Sequence, residues 1–460
     1  MTNTPTPPTN LPSNDPRQRR REQRGWYLYD WANQVFWTSV VTVFLGPYLA
    51  ELARAAAQGS PSGEHVYLLG LAIHYNAVWP LATALAPAIQ IPLLPVVGAI
   101  ADRSRTKKRL LLGFATVGAS ATTCLYLASG DNYLLAVGLF LVANVSYGAA
   151  LVVYNAFLPE IATADERDRV SSTGWAFAYL GGVVLLLVHL ALVLNAEALG
   201  VGEGHAVRIA FASAGLWWLG FTLLAVRPLR NRVAPAATAD RPASVGATFR
   251  QLWHTLRELR RYPQTLLYLC AYLLFNDGIQ ATIRFAGPYA TGEQDLGLDM
   301  DDLITTVVMI QFVAFAGAWL TGRLATVLGT KRTLVAILVC WTLILTSGYF
   351  LPAGQALPFM ALGFCIGLVL GGSQALARSL FSQLIPRGKE GEYFGLYTIC
   401  DRAGTLTAAL VGFVAVQLTG GYRAAIFSLV AFFIVGGVLL VLANLRRGVQ
   451  QAGNPVPAHL

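Results

Sequence analysis

Charged residues and cysteines are scarce in this sequence, and each scarcity excludes a class of protein. Only 12% of the 460 residues are Asp, Glu, Lys or Arg, against roughly 25% in soluble domains, and 55% are hydrophobic. The five cysteines fall in apolar segments at unrelated spacings, which fits neither a metal site nor a disulfide framework. We therefore expect a membrane protein whose cysteines are buried small apolar residues.

The sequence also lacks the motifs of several functions. It has no GxxxxGK[ST] loop for nucleotide phosphates, so ATP-driven transport by this chain is not indicated, and no cofactor or metal is expected. The charged residues inside apolar segments form no hydrolase motif, which argues against an intramembrane enzyme. No short apolar core with a cleavage site follows the first 24 residues, so a secretory signal is not expected.

What the sequence does contain is a series of apolar segments of the length that a bilayer requires, about 20 residues each. They predict an all-α integral membrane protein with twelve transmembrane helices in two pseudo-symmetric six-helix halves. The approximate bounds of the predicted spans are 26–53, 76–100, 110–129, 133–157, 172–195, 206–227, 263–288, 302–325, 333–352, 356–384, 393–418 and 423–444.

These spans divide the chain into five parts. Residues 1–24 are expected to be a disordered basic cytoplasmic tail, 25–227 the N-terminal half, 228–262 a cytoplasmic linker, 263–446 the C-terminal half and 447–460 a second cytoplasmic tail. Apolar residues in the linker recur at helical spacing between arginines, which predicts an amphipathic helix on the inner membrane surface. These residues are Phe249, Leu252, Trp253, Leu256 and Leu259.

The net charge of +9 is better explained by membrane topology than by binding of nucleic acid. Nearly all of the 33 lysines and arginines fall in tails or loops on one side of the predicted spans, the side that faces the cytoplasm in membrane proteins. Both termini are then cytoplasmic. Arginine far outnumbers lysine, which is typical of GC-rich bacterial genomes, so we expect a bacterial inner (plasma) membrane.

Two loops indicate that the halves are repeats. The stretch "GAIADRSRTKKR" follows span two, and "GRLATVLGTKR" follows span eight. Aligning Gly98 with Gly322 places Lys107 opposite Lys331. Matching loops in two six-helix halves fit parallel repeats related by an axis along the membrane normal.

The first loop resembles the signature between helices two and three of the major facilitator superfamily, although Arg105 stands where that pattern has its second glycine. The resemblance implies the twelve-helix major facilitator fold and a gating role for Gly98, Asp102, Arg103 and Lys107. Gly98 would allow close helix packing, and Asp102 would face a helix end or a cation. The cations would latch the cytoplasmic face; alternatively, they only set the topology.

Four further stretches resemble the vacuole-effluxer-like branch of the superfamily, which includes fungal vacuolar amino-acid exporters and bacterial facilitators of unknown substrate. They are "YDWANQVF" in span one, "FNDGIQATIRF" in span seven, and "GGSQALARSLFSQLIP" and "GEYFGLYTICDRAG" in spans ten and eleven. The resemblance implies export of amino acids or similar small polar solutes by alternating access. The alternative is a multidrug/proton antiporter, whose fifth helix carries a proline where this chain has Phe177.

Asp277 is the clearest candidate for binding the substrate or a proton. It lies about 20 Å into span seven at 1.5 Å per residue, near the bilayer centre, where ionisable residues are functional by default. Gln280 and Arg284 share its helical face, and Asn276 precedes it. We expect Asn276 and Gln280 to be polar neighbours of the substrate and Arg284 to be an outer gate or an interfacial anchor. The alternative is that Asp277 pairs permanently with another helix.

Span one contributes three candidates. Asp30 lies near its cytoplasmic end and is interpreted as an inner gate. Asn33 and Gln34 lie a turn deeper, so at least one of them is expected to face the cavity. The aromatic residues around Trp26 and Trp218 are interpreted as interfacial belts.

Spans ten and eleven add a second group of polar residues. Gln374 is a candidate substrate ligand, and Arg378 lies one turn further along the same face. Asp401 and Arg402 are expected at a comparable depth in span eleven. An interhelical charge network near the cytoplasmic side and contact with the substrate both fit this group.

Together these features predict a secondary transporter. Its expected partners are a small-molecule substrate and membrane lipids, with no nucleic acid, and we expect a monomer. Protons are a further expected partner because Asp30 and Asp277 can titrate, although a uniporter would need no titrating group.

Overall fold

The computed structural model describes residues 12–13, 15–59, 63–68, 71–104, 106–232, 257–292, 295–402 and 422–460. Within these ranges eleven helices are long and apolar enough to span a bilayer. A further helix covers residues 390–402, where the sequence predicts the eleventh span, and the remainder of that prediction lies outside the described residues. As far as the residues are described, every predicted span therefore has helix in its place.

We number the spanning helices in chain order. In the N-terminal half they are α1 Pro16–Ala57, α2 Val78–Arg103, α3 Lys107–Cys124, α4 Tyr133–Ala156, α5 Arg167–Leu194 and α6 Glu203–Val226. In the C-terminal half they are α7 Pro263–Thr291, α8 Met300–Leu328, α9 Thr330–Tyr349, α10 Ala356–Gln383, α11 390–402 and α12 Tyr422–Leu442.

The expectation of a disordered tail over residues 1–24 is wrong for its second part, because α1 begins at Pro16. Proline suits the first position of a helix, and the Asp15 carboxylate accepts a hydrogen bond from the Arg17 backbone N–H, as an N-cap does. Two ion pairs then hold this basic segment against the bundle. Arg19 lies 3.1 Å from Glu166, and Glu22 lies 2.6 Å from Arg232.

The first span is not a uniform α-helix. It consists of an α-helix Pro16–Val35, a π-helix Phe36–Phe44 and a second α-helix Leu45–Ala57. Stretches of π-helix are rare and occur frequently at functional sites. This one directly follows the polar residues of "YDWANQVF".

The apolar side chains form two cores, one in each half. The first is built from residues between Trp26 and Leu229, and the second almost entirely from residues between Leu259 and Val449. Among the helices whose contacts are described, α5 makes the largest connection between the two halves, because it packs along α8 and α10. Any site between the halves is therefore shared by two separately packed units.

Hydrogen bonds between the halves cluster at one end of the bundle, which we call the closed end. It carries the loop before α3, the loop between α4 and α5, the loop between α10 and α11, and the C-terminal residues. The sequence predicts that this end faces the cytoplasm. A β-hairpin between α1 and α2, β1 His65–Leu68 and β2 Leu71–His74, is a local exception to the all-α prediction.

Two other expectations concern the cysteines and the linker. The cysteines are not all buried, because Cys270, Cys340 and Cys365 are exposed on the outside of the bundle, where a lipid-facing position suits a small apolar residue. The amphipathic linker helix falls mostly on residues 233–256, which lie outside the described residues; residues 257–259 are helical.

Candidate functional site

Arg378 of α10 joins the two halves at the closed end. Its Nη1 and Nη2 each lie 3.4 Å from Asp30 Oδ2 on α1. Its Nε donates to Ser171 Oγ at 3.0 Å and its Nη2 to Ser171 O at 2.9 Å, both on α5. Ser171 Oγ in turn donates to the Ala375 carbonyl of α10 at 2.7 Å. A single guanidinium therefore ties α10 to two helices of the other half.

Aromatic rings enclose the same guanidinium. The Arg378 Cζ atom lies 4.6 Å from the Trp26 ring centroid, 5.3 Å from Trp175 and 5.7 Å from Tyr154, within the range of cation–π attraction. Trp26 and Tyr154 stack with centroids 4.5 Å apart. We call Arg378, Asp30, Trp26, Tyr154 and Trp175 the arginine cage. Arg378 comes from the C-terminal half and the other four residues from the N-terminal half, so the cage is complete only when this end is closed, and it is a candidate gate.

The cage overturns the interpretation of the aromatic residues as interfacial belts. Trp26 and Trp218 are both completely buried inside the N-terminal half. Trp218 stacks on Phe36 and Trp26 supports Arg378. Their segments are apolar enough for a belt, and nothing in the sequence shows that an arginine far along the chain lies over the Trp26 ring.

The carboxylate of Asp102 caps α11, a helix of the opposite half. Its Oδ1 accepts from the Gly391 N–H at 2.7 Å and its Oδ2 from the Glu392 N–H at 2.8 Å. A negative charge at a helix N-terminus is favoured by the unpaired N–H groups and the helix dipole. Lys107 Nζ lies 2.6 Å from Glu160 and 3.8 Å from Asp102. The structure thus places Asp102 at a helix end and beside a cation; its gating role stays a prediction.

Glycine makes this contact geometrically feasible. A Cβ atom on Gly98 would overlap the Gly391 carbonyl, and a Cβ on Gly391 would lie 2.5 Å from the Gly98 oxygen. The repeat-related Gly322 of α8 packs in the same way against α5, where an added Cβ would lie 2.5 Å from the Ser172 Cβ. The two loops that align in sequence therefore hold equivalent interfaces between the halves, α2 against α11 and α8 against α5.

The central polar cluster lies deeper between the halves. Asn276 Nδ2 donates to Asp401 Oδ1 at 2.7 Å, and Gln374 Nε2 donates to Asn276 Oδ1 at 3.1 Å. Asn276 lies near the middle of the 29-residue helix α7. Asp401 therefore lies at mid-depth and not near the closed end. Of the two interpretations that the sequence leaves open, a charge network near the cytoplasmic side does not fit the position of Asp401. Gln374 belongs to this cluster, whereas Arg378, one turn away, belongs to the cage.

Arg402 completes the cluster on the side of the N-terminal half. Its Nε lies 3.9 Å from Asp401 Oδ2, and its Cζ lies 5.9 Å from the Trp37 ring of α1. The Nε atom is buried and has no hydrogen-bond partner among the described residues. Adjacent positions of α11 thus bring a carboxylate and a guanidinium together, and the guanidinium Nε–H makes no hydrogen bond with the described residues.

The remaining predicted residues lie around these two groups. Asp277 is buried within electrostatic range of Arg284, whose side chain is exposed and whose Nε donates to the Gln280 carbonyl at 3.2 Å. Asn33 and Gln34 are both buried, so their burial does not distinguish which of them faces the cavity. The side chain of Arg103 lies outside the described part of the chain.

Sequence reasoning missed several members of these groups. Tyr154, Ser171 and Trp175 contact the predicted residues but carry no local signal, because each sits in an ordinary helical context. Glu160 follows Pro159 in a short helix, Leu158–Ile161, and is buried; a buried acid next to a loop rich in cations is the one pattern that points to its pairing with Lys107.

Solved structures show which fold the chain has. The chain resembles the transporter FucP in its outward conformation, with a TM-score of 0.65 and 13% identity over 93% of this chain and 98% of that one. It also resembles the human organic anion transporter MFSD10, with a TM-score of 0.59 and 15% identity over 93% and 100%. Both have the fold of the major facilitator superfamily, so the twelve-helix fold in two halves is confirmed.

Comparison with known sequences identifies the family to which the chain belongs. The family described as "Vacuole effluxer Atg22 like" matches residues 18–453, and the chain belongs to this family. It is 28% identical to the uncharacterized MFS-type transporter YxiO of Bacillus subtilis, over 95% of this chain and 98% of that protein. It is 24% identical to autophagy-related protein 22-1 of Aspergillus niger, over 97% and 92%. The protein is thus a multi-pass membrane transporter.

Proposed function

We propose that the protein exports amino acids or similar small polar solutes by alternating access, with the central polar cluster as its binding site. The observation that carries this proposal is the pairing of Asp401 and Arg402 at mid-depth between the halves. An amino acid carries an ammonium and a carboxylate close together, so neighbouring opposite charges are complementary to it. Substrate sites of such transporters lie near the midplane between the repeats.

Each member of the cluster has a distinct part in binding. Arg402 offers its guanidinium to the substrate carboxylate, and a hydrogen bond between two charged groups is stronger than one between neutral groups. Asp401 accepts the ammonium while Asn276 fixes the orientation of its carboxylate. Trp37 covers the Arg402 guanidinium and excludes water from one side, which strengthens both interactions.

The arginine cage and the Asp102 cap are the inner gate in this proposal. Both are formed here, so this conformer is closed at the end that the proposal places in the cytoplasm. An exported substrate enters there once Arg378 leaves Asp30 and α11 leaves Asp102, and it is released at the opposite end. Contacts that exist in one conformer and break in the other are the usual means by which such transporters switch.

Asp277 is proposed as the group that carries a proton if transport is coupled to a proton gradient. It is a buried carboxylate near the middle of α7, and it neighbours the cluster through Asn276. Ionisable residues at this depth mark substrate and proton pathways. Asp30 is another titratable residue between the halves, but Arg378 holds it in this conformer.

The proposed direction of transport rests on the family, and the proposed location in the membrane rests on the distribution of charge. The family description names vacuole effluxers, which supports export. The basic residues at the closed end support a cytoplasmic position for both termini, and we propose a bacterial inner membrane as its location.

Transport by purified protein in proteoliposomes tests the proposal. Labelled amino acids should enter faster than in empty liposomes, and Arg402→Gln should abolish the difference, whereas Arg446→Gln, an exposed arginine outside the cluster, should not. Asp277→Asn should remove any dependence on an imposed pH gradient. Transport of lipophilic cations without flux of any amino acid would contradict the proposal and favour a multidrug/proton antiporter.

A further inference from the structure

Residues 454–460 cross from one half of the molecule to the other at the closed end, and we call them the strap. They follow a short helix, Leu445–Gln451, that packs on the C-terminal half, where a Cβ added to Gly448 would lie 2.7 Å from Leu384 Cδ2. Gly453, with a φ of 71°, then turns the chain in a conformation that favours glycine. The strap therefore starts from a base that is fixed to the C-terminal half.

The C-terminal half holds the strap at two points. Asn454 Nδ2 donates to the carbonyl oxygens of Gln383 at 2.9 Å and of Ile385 at 2.7 Å, at and just beyond the end of α10. The His459 carbonyl accepts from the Thr330 backbone N–H at 3.3 Å and from the Thr330 hydroxyl at 3.1 Å, at the start of α9. Helix ends leave backbone groups without a partner inside the helix, and the strap supplies partners at two of them.

Two carboxylates of the N-terminal half make contact with the strap and with the residue that anchors it. Asp165 Oδ1, in the loop between α4 and α5, accepts from the Ala458 backbone N–H at 2.8 Å. The Asp168 carboxylate of α5 accepts from the Thr330 hydroxyl, which also lies against the His459 carbonyl. One stretch of backbone is thus held by both halves, and it cannot keep both sets of contacts when the halves separate at this end.

The strap lies at the interface between the halves that lacks a counterpart of the Asp102 cap. At the interface of α2 with α11, Asp102 accepts from two N–H groups of the opposite half. The repeat-related position at the interface of α8 with α5 is Thr326, whose hydroxyl donates to the Arg323 carbonyl of its own helix at 2.7 Å. There the acceptors are the two carboxylates of the α5 region, and the donors come from the strap and from the start of α9. The strap therefore does at one interface what α11 does at the other.

We propose that the strap is an autoinhibitory contact that holds the inner gate shut. A segment that binds only the conformer closed at this end shifts the population toward that conformer. The Asp165 side chain is exposed, and exposed contacts to a charge are weak, so this one can break in each transport cycle. Its release sets how often the inner gate opens. This role rests on the proposed alternating access, but not on the identity of the substrate.

Amide hydrogen exchange of the purified full-length protein tests the role of the strap. Asp165→Ala removes the acceptor, and Ala458→Pro removes the N–H donor. Each should speed exchange in residues 391–396, at the other interface, roughly fivefold, because losing a hydrogen bond to a charged group shifts an equilibrium by at least about that factor. The matched controls should leave this exchange unchanged. They are Asp131→Ala, at an exposed position between α3 and α4, and Val456→Pro, whose N–H makes no hydrogen bond with the described residues.

The double variant and the place of the change separate an autoinhibitory contact from a local anchor. Asp165→Ala combined with Ala458→Pro should equal the larger single effect, because both substitutions remove the same hydrogen bond. Additive effects would mean that the two residues act independently and would overturn the proposal. Faster exchange confined to residues 163–168 and 455–460 would show that the strap has no influence on the gate. If no amino acid is transported, the proposed function fails, but the exchange results expected for the strap stay the same.

Discussion

Arg378 and Arg402 are both arginines between the two halves with an acidic neighbour, yet their surroundings differ. Arg378 is enclosed by three aromatic rings and donates to Asp30 and to Ser171. Arg402 has a single ring at 5.9 Å, and its Nε lacks a hydrogen-bond partner among the described residues. A satisfied guanidinium stabilises one conformer, whereas one with an unused donor is ready for a ligand. The comparison therefore supports the proposal that Arg378 belongs to the gate and Arg402 to the binding site.

The largest effect is expected from Arg378→Gln. Removing one member of a buried ion pair costs roughly 3–5 kcal/mol because the other charge stays buried, so the closed end should open and transport should fall at least 100-fold. Initial rates of uptake by proteoliposomes and hydrogen exchange in residues 165–175 measure the two consequences. Arg323→Gln is the matched control, since Arg323 lies 3.5 Å over the Trp319 ring on an exposed surface, where such a contact contributes only about 0.5–1 kcal/mol.

The same pair can be tested by a double-mutant cycle. Asp30→Asn combined with Arg378→Gln leaves no uncompensated charge, so the double variant should be less destabilised than Arg378→Gln alone. Thermal unfolding of the two single variants, the double variant and the unmodified protein measures this coupling. Additive losses would mean that Asp30 and Arg378 act independently and that the cage is not a unit.

Arg402→Gln should show the opposite pattern, with loss of transport and little change in stability. Its Nε makes no hydrogen bond within the described chain, and its ion-pair partner Asp401 is partly exposed and keeps the hydrogen bond from Asn276, so the substitution leaves few protein contacts unpaired. We expect at least a tenfold rise in KM for amino acids and an unfolding temperature within about 1 °C of the unmodified protein. Arg402→Lys should recover only part of the loss, because lysine lacks the planar fork that binds a carboxylate. A large drop in unfolding temperature would make Arg402 a structural residue like Arg378.

Gly98→Ala tests whether the closed end needs close backbone contact. The added Cβ overlaps the Gly391 carbonyl, and overpacking costs about 1–3 kcal/mol, so hydrogen exchange at residues 390–395 should increase as α11 moves away from Asp102. Gly113→Ala on α3 is the control, since no atom of the described chain lies within 4 Å of its Cβ position. Equal behaviour of the two variants would show that the contact between α2 and α11 is not needed for closure.

The sequence predicted the fold well because length and hydropathy alone specify spanning helices. It also indicated Asp30, Asp102, Asn276 and Arg378, since polar residues inside apolar segments stand out. It could not indicate their partners. Asp30 and Arg378 are 348 positions apart, and only the packing of the two halves brings them together. The start of α1 was misplaced because its basic first turns are stabilised by residues that lie far away in the chain.

Gln374→Leu should have the smallest effect, and it addresses the organisation of the central polar cluster. Gln374 donates to Asn276 Oδ1 at 3.1 Å, which leaves the Asn276 amide nitrogen directed at Asp401. A neutral hydrogen bond contributes about 1 kcal/mol, so the KM for amino acids should rise about fivefold with an unchanged rate at saturation. Gln355→Leu, at an exposed position before α10, is the control. A fall in the saturated rate with no change in KM would place Gln374 in the gate with Arg378 and erase the distinction between the two sites.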